Sequence, residues 1–405
     1  MEGGCMGYGE SVRGNAETSP GAHTVVHGPD PAQIESGGDR LGVHVVWELL
    51  LLVGAVGVGY LLWRENPDTL RGDGLRSLLV DGAVLGLLTL AAGLSLRTAA
   101  VNLAIGPAAV AAALHMAEQG DRGAVAALGP AIAAGVLGGL LLAFVVTVLH
   151  VPAWAASLAA GAALVGYIEQ RSGPVLPQGS YDPTSDALYL FAGFAAVAVL
   201  GGLFGALRPI RRLVGRLRPV ADPARRRGAL ASVVAGGALV ASSVLAVLAG
   251  ALLGTPAVGP VAVVSGLDWT VLAVGTALLA GTSAFGCRGG ILGTLLAVSL
   301  VTLVLTDLRA SGLSASRWAV GAVVLGVGLV VTRLVEAYGG SRDDRGAVAD
   351  SPDVDGQLHA DWSVRRPEPL TDWAAALPPQ PAESPRDQWD LPDWGTGRHW
   401  DPSRR

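Results

Sequence analysis

The chain has 405 residues, 51% of them hydrophobic and 15% charged, with a mean hydropathy of +0.48, too apolar for a soluble domain of this length. The formal net charge is −5, and all 28 basic residues are arginine. Without lysine there is no Gly-Lys-Ser/Thr phosphate loop and no Schiff-base chemistry, so P-loop nucleotide hydrolysis is excluded from this chain.

Residues 1–40 are polar and glycine-rich and lack the apolar core of a signal peptide, so they read as a disordered tail. Cys5 lacks the apolar stretch expected before a lipoprotein cysteine. It shares no metal or redox spacing with Cys287, so no metal site is expected.

Apolar segments follow at about 41–63, 77–96, 98–117, 124–149, 151–169, 187–207, 229–253, 268–286, 290–308 and 317–338. The 46 residues from Gly123 to Ile168 carry no Asp, Glu or Arg and, as the one basic ring, His150. As one helix they would extend about 69 Å at ~1.5 Å per residue, so they must cross a core of ~30 Å twice. Tight junctions at Arg97, at His150-Val-Pro152 and at Cys287-Arg288 predict broken or re-entrant helices. The expected fold is all-α, a polytopic membrane protein of about ten transmembrane helices over 41–339. Disordered tails are expected at 1–40 and 340–405.

Orientation rests on the 208–228 connection. It holds Arg208, Arg211, Arg212, Arg216, Arg218, Arg225, Arg226 and Arg227 against the single acid Asp222. The positive-inside rule makes this connection cytoplasmic, and counting spans puts both termini there too. The 64–76 connection then lies outside despite Arg64, Arg71 and Arg76.

The 340–405 segment is rich in proline and acid. It contains Trp362, Trp373, Trp389, Trp394 and Trp400, as incidental aromatics in a solvated tail or as a docking or interfacial segment. Glycine pairs at Gly135/Gly139, Gly201/Gly205 and Gly289/Gly293 have the spacing that lets helices approach closely. Gly139-Leu-Leu-Leu-Ala143 has a faint echo in Gly290-Ile-Leu-Gly-Thr294.

The stretch Ala280-Gly-Thr-Ser-Ala-Phe-Gly-Cys-Arg-Gly-Gly-Ile-Leu-Gly-Thr294 is a glycine-dense hinge with one cation. Irregular backbone at membrane depth is tolerated only against protein or a water-filled path, which suits a transporter better than an anchor. The hinge resembles the Gly-Gly-Thr-Ser…Gly-Gly-Arg-Gly…Gly-Thr signature of a permease family: the membrane subunits of binding-protein-dependent ABC importers for branched-chain amino acids and monosaccharides. Gly281, Thr282, Ser283, Gly286, Arg288, Gly289, Gly293 and Thr294 fit, while Ala280, Cys287 and Gly290 depart. Ala100-Val-Asn-Leu-Ala-Ile-Gly106 is similar to the family's Gly-Ile-Asp-Leu-Ser-Val-Gly, with Asn102 in the acidic position. Val151-Pro-Ala-Trp-Ala-Ala-Ser-Leu158 resembles Ile-Pro-x-Phe-Ile-Ala-Thr-Leu. Order and approximate spacing agree over residues 70–335.

The resemblance implies a permease paired with a second, identical or homologous permease subunit. It also implies separate ATP-binding subunits on the cytoplasmic side and an extracytoplasmic solute-binding protein. ATP would be bound by those partners, with no cofactor in this chain. The location would be a bacterial cytoplasmic membrane. One departure is that the family's central coupling helix is compressed here into the 208–228 loop, with Pro209, Pro219 and Pro223.

The candidate path residues are Asn102, Gly106, Gly281, Thr282, Ser283, Gly286, Arg288 and Gly293. Arg288 either sits deep or marks a cytoplasmic turn. Asn102 either lines the path or bonds a neighbouring helix. Thr282 and Ser283 either line the path or bond back to their own carbonyls. Asp81 and Glu48 read as helix-end groups or proton carriers. The 208–228 arginines read as a lipid-facing topology signal or an ATPase-docking face. The histidines fall in the tails or far apart at segment ends, and no triad, zinc motif or carboxylate pair appears, so an enzyme is not expected. Nucleic-acid binding is not expected either, since the only basic cluster is short and hemmed by spans. Two other readings stay open: a ten-span secondary transporter, and a degenerate permease serving as a non-transporting membrane partner.

Overall fold

The computed structural model describes residues 41–206, 229–282, 291–313 and 315–339. Their regular structure is helical: α1 (Leu41–Glu65), α2 (Gly72–Arg97), α3 (Ile105–Gln119), α4 (Ala124–Thr147), α5 (Ala153–Ile168), α6 (Ala187–Ala206), α7 (Ala229–Leu253), α8 (Leu267–Leu279), α9 (Gly293–Ala310) and α10 (Arg317–Gly339). Outside the helices, an isolated antiparallel bridge joins Val175 to Val261.

Among the described residues, seven helices are long and apolar enough to cross a membrane: α1, α2, α4, α6, α7, α9 and α10. The chain is a multi-pass membrane protein. The remaining three are shorter than the roughly 20 residues a crossing needs: α3 has 15 residues, α5 has 16 and α8 has 13. The expected segment 98–117 becomes a helix only from Ile105, and the expected 268–286 ends at Leu279. The predicted breaks at Arg97 and His150 are present. Residues 98–104 and 148–152 lie outside helices, and Ala99 and His150 take positive φ of 51° and 56°. The predicted break at Cys287-Arg288 and the two tails lie outside the described residues.

Exposed aromatic side chains gather at the helix ends. Trp63 of α1, Tyr167 of α5, Tyr189 of α6 and Trp318 of α10 mark one end of the bundle, and Trp154 of α5 marks the other. Tryptophan and tyrosine favour the two membrane–water interfaces, where an apolar ring and a polar edge are both satisfied.

Close contacts fix helix directions. Gly135 and Gly139 of α4 meet Val247 and Val240 of α7, so these helices run antiparallel. Gly250 of α7 and Gly254 just past its end meet Ala109 and Ala113 of α3, so α3 runs parallel to α7. Gly275 meets Leu325, and Gly321 and Gly328 meet Leu272 and Leu278, so α8 runs parallel to α10. Gly93 and Ala277, both late in their helices, place α8 parallel to α2. Asp81 early in α2 and Arg309 at the end of α9 set those two antiparallel.

These directions describe two four-helix halves, α2–α5 and α7–α10, of opposite sense. Each contains a long first helix and a short second one, and each short helix packs parallel to the other half's long one. Alanines and leucines of α2, α3, α7 and α8 form the main buried cluster between the halves. Of the sequence echo, Gly139 lies within α4 and Gly293 opens α9, while Gly290 lies outside the described residues. Of the glycine pairs, Gly135 and Gly139 do hold a helix contact, while Gly201 faces open space. Outside the halves, α1 packs on α9. Phe191 and Phe194 of α6 seat their rings against Gly82 and Gly86 of α2.

Candidate translocation site

The chain breaks between α2 and α3, and hydroxyls from three other helices hold the break. Asn102 is 1% exposed, and its side-chain NH2 donates to Ser242 Oγ at 2.9 Å and Ser243 Oγ at 3.3 Å, both on α7. Its Oδ1 accepts from Ala104 N at 3.1 Å. Ser157 of α5 accepts from Leu103 N and donates to Val101 O, each at 3.0 Å. Thr270 of α8 accepts from Gly106 N at 3.0 Å and donates to Leu103 O at 3.2 Å. α3 has no capping side chain of its own, so these tertiary partners satisfy amides that a helix start leaves unpaired. Pro107 fits the first turn because its missing N–H is one of those orphans.

α8 begins at the same place. Gly266 has φ +75°, and any side-chain carbon added to it would strike the Gly106 carbonyl; one added to Gly106 would strike Gly266 O. The two short helices therefore meet by their N-termini and run to opposite ends of the bundle. Asp268 in the first turn of α8 offsets the positive dipole end there. Its Oδ2 accepts from Arg317 Nη1 of α10 at 2.7 Å, and the Arg317 guanidinium lies 4.4 Å from the Trp269 ring centre.

The far end of α8 closes differently. Gly281 N donates to Leu278 O and Thr282 N to Ala277 O, with Gly281 at φ +86°. That is the paired arrangement in which a glycine stops a helix. Thr282 is 1% exposed, and Gly293 packs on the Ala280 carbonyl.

The path candidates thus fall into two places. Asn102 and Gly106 meet at the central junction; Gly281, Thr282 and Gly293 lie at the other end of α8, about 20 Å away at ~1.5 Å per residue. Ser283, Gly286 and Arg288 lie outside the described residues. So do Arg208, Arg211, Arg212, Arg216, Arg218, Arg225, Arg226 and Arg227. Asn102 bonds to a neighbouring helix, one of its two anticipated roles. Asp81 and Glu48 both have partners: Asp81 accepts from Arg309 at 2.7 Å, and Glu48 accepts from Leu292 N and Gly293 N. Sequence reading missed Ser157, Ser242, Ser243, Gly266, Thr270, Asp268 and Arg317. The available signal was Ser242-Ser243, adjacent hydroxyls in a long uncharged run.

Beyond the membrane-spanning helices, the 169–186 connection is tied down over the end of α3. Arg171 makes a two-bond pair with Glu118 and donates to the Tyr167 hydroxyl. The Glu118 hydrogen bonds raise its pKa above the ordinary value, against the opposing pull of burial. Gln178 N donates to Ala117 O. Burial, then the neighbouring Asp186 carboxylate, pushes the Tyr181 phenol up. The Thr184 amide and hydroxyl hold Asp182 below the usual carboxylate value. No group of three or more metal-binding side chains occurs among the described residues.

Comparison with family models, with curated proteins and with solved structures returned no match for this chain.

Proposed function

We propose that this chain is the membrane-spanning permease subunit of an ABC importer, forming the path for a small polar solute of the branched-chain amino acid, sugar or nucleoside type. The observation that carries the transport reading is the meeting of α3 and α8 at Gly106 and Gly266. Two oppositely oriented halves whose short helices start at a shared buried junction are the architecture in which rocking one half against the other alternates access. The ABC assignment rests on the motif resemblance around Asn102, Val151 and Gly281, and on the lack of any lysine for a P-loop of its own. ATP-binding partners dock on the arginine-rich 208–228 connection, a solute-binding protein serves the opposite face, and a second permease subunit completes the pair. In this reading the host membrane is the bacterial cytoplasmic membrane, with both termini inside.

A second reading, an ion-coupled secondary transporter, draws on Asp307. Its Oδ1 is buried and has no hydrogen-bond partner in the described structure, and ionisable groups within membrane helices commonly serve ion pathways.

The test is uptake of labelled leucine, ribose and adenosine into proteoliposomes holding the chain with its co-purifying partners. Uptake that needs internal ATP supports the importer. Uptake driven by a proton or sodium gradient alone replaces it with the second reading. Absence of uptake under both conditions leaves a non-transporting membrane partner.

A further inference from the structure

Two consecutive residues of α1 grip both ends of the 280–292 segment. Trp47 Nε1 donates to Leu279 O, the last residue of α8, at 2.8 Å. Glu48 Oε1 accepts from Leu292 N at 2.8 Å and Gly293 N at 3.1 Å, at the start of α9. Among the described residues neither helix end has a local side chain for the task. Leu292 precedes α9 without a side-chain cap, and α8 ends on Ala280 and Gly281. A carboxylate at a helix start and an indole N–H at a helix end are each the favourable partner for the charge exposed there. α1 belongs to neither four-helix half, yet it packs along α9 through Gly54–Leu300 and Gly59–Leu303.

We infer that Trp47 and Glu48 are positioning residues that fix the half-helix α8 along its axis, and through it the Gly106–Gly266 junction. The inference rests on the transport reading for its purpose but not for its geometry. α8 is only 13 residues long. Held by Trp47 at Leu279 and meeting α3 through Thr270 at its start, it transmits an axial shift at one end to the other as a rigid rod. Among the described path candidates the two residues meet only the Gly281 and Gly293 backbone, and they are expected to act on the rate of the cycle rather than on solute affinity.

The test uses the full chain in lipid nanodiscs, with hydrogen exchange read at Leu292, Gly293 and Gly106. In E48A, the Leu292 and Gly293 amides are expected to exchange about tenfold faster or more, in line with loss of a charged acceptor. The remote Gly106 amide, bonded to Thr270, is expected to quicken as well. W47F keeps an aromatic side chain but loses the indole N–H together with the five-membered ring; it should quicken Gly106 while leaving overall helicity unchanged, which covers the case in which E48A fails to fold. In the uptake assay, W47F is expected to change turnover several-fold with KM unchanged. Gly106 exchange that stays at the wild-type rate in both variants overturns the inference. Absence of uptake by the wild-type protein overturns the transport reading instead, and the exchange result stands apart from it.

Discussion

Gly106 and Gly266 face one another backbone to backbone where α3 and α8 begin, and neither has room for a methyl group. Everything central to the molecule converges on this contact: two helix starts, the Thr270 hydroxyl that bridges them, and the buried cluster shared by both halves.

Gly106→Ala and Gly266→Ala should each destabilise the protein by about 1–3 kcal/mol, the usual cost of overpacking a tight interior. Gly266→Ala should be the worse, because its φ of +75° adds backbone strain to the clash. Thermal unfolding in detergent, with Gly57→Ala as the control in open space, measures both.

Asn102→Ala removes two donors and one acceptor at once. It leaves Ala104 N unpaired, while Ser242 and Ser243 keep their bonds to Leu239 O. The expected loss is about 1–2 kcal/mol, at the upper end for polar contacts between membrane helices. Adding Ser242→Ala and Ser243→Ala should cost less than the separate effects combined, because the same bonds are already gone. A double-mutant cycle on unfolding free energy decides this.

Arg317→Ala strands Asp268, whose side chain is 11% exposed, while Arg317 itself is 41% exposed. The cost should fall between that of a surface pair and a fully buried one, about 2 kcal/mol. Arg317→Lys should recover only part of it, since an ammonium pairs with Asp268 but cannot stack on Trp269 in the same way. Equal stability of the Lys and Ala variants would refute the pairing as described.

The 169–186 connection should be insensitive to pH across the neutral range. Asp182 has a depressed pKa, so its contribution is present above the unfolded value of 3.8 and disappears as pH falls through the lower folded value. Tyr181 has a raised pKa and holds as the neutral phenol. Its contribution is present below the unfolded value of 10.0 and disappears as pH rises through the higher folded value. Protection of the Thr184 amide, relative to the intrinsic exchange rate at each pH, should fall only in strong acid, and ultraviolet titration should find a late-ionising tyrosine that Tyr181→Phe removes.

The membrane character and most helix limits were legible in the residues. Charge-free runs such as Ala229–Leu253 were read with both ends correct, because hydrocarbon tolerates so few alternatives for an uncharged stretch. The predicted breaks at Arg97 and His150 were legible for the same reason: a charge, or a titratable ring beside a proline, interrupts an otherwise continuous apolar pattern. Asn102 stood out as an amide in such a pattern, although its partners did not.

Local sequence could not reveal the central junction. Ser157, Ser242 and Thr270 look like ordinary hydroxyls that bond back to their own helices, and Gly266 looks like one glycine among 57. Their roles depend on contacts between residues 54 to 167 positions apart, and no periodic pattern records which helix will stand beside which. The residues by themselves determined that the chain is helical, crosses a membrane several times and breaks at particular points, since desolvation of the backbone is a cost paid position by position. Only the tertiary structure decided that two short helices start at a shared buried point between opposed halves, because that outcome belongs to the packing of the whole bundle.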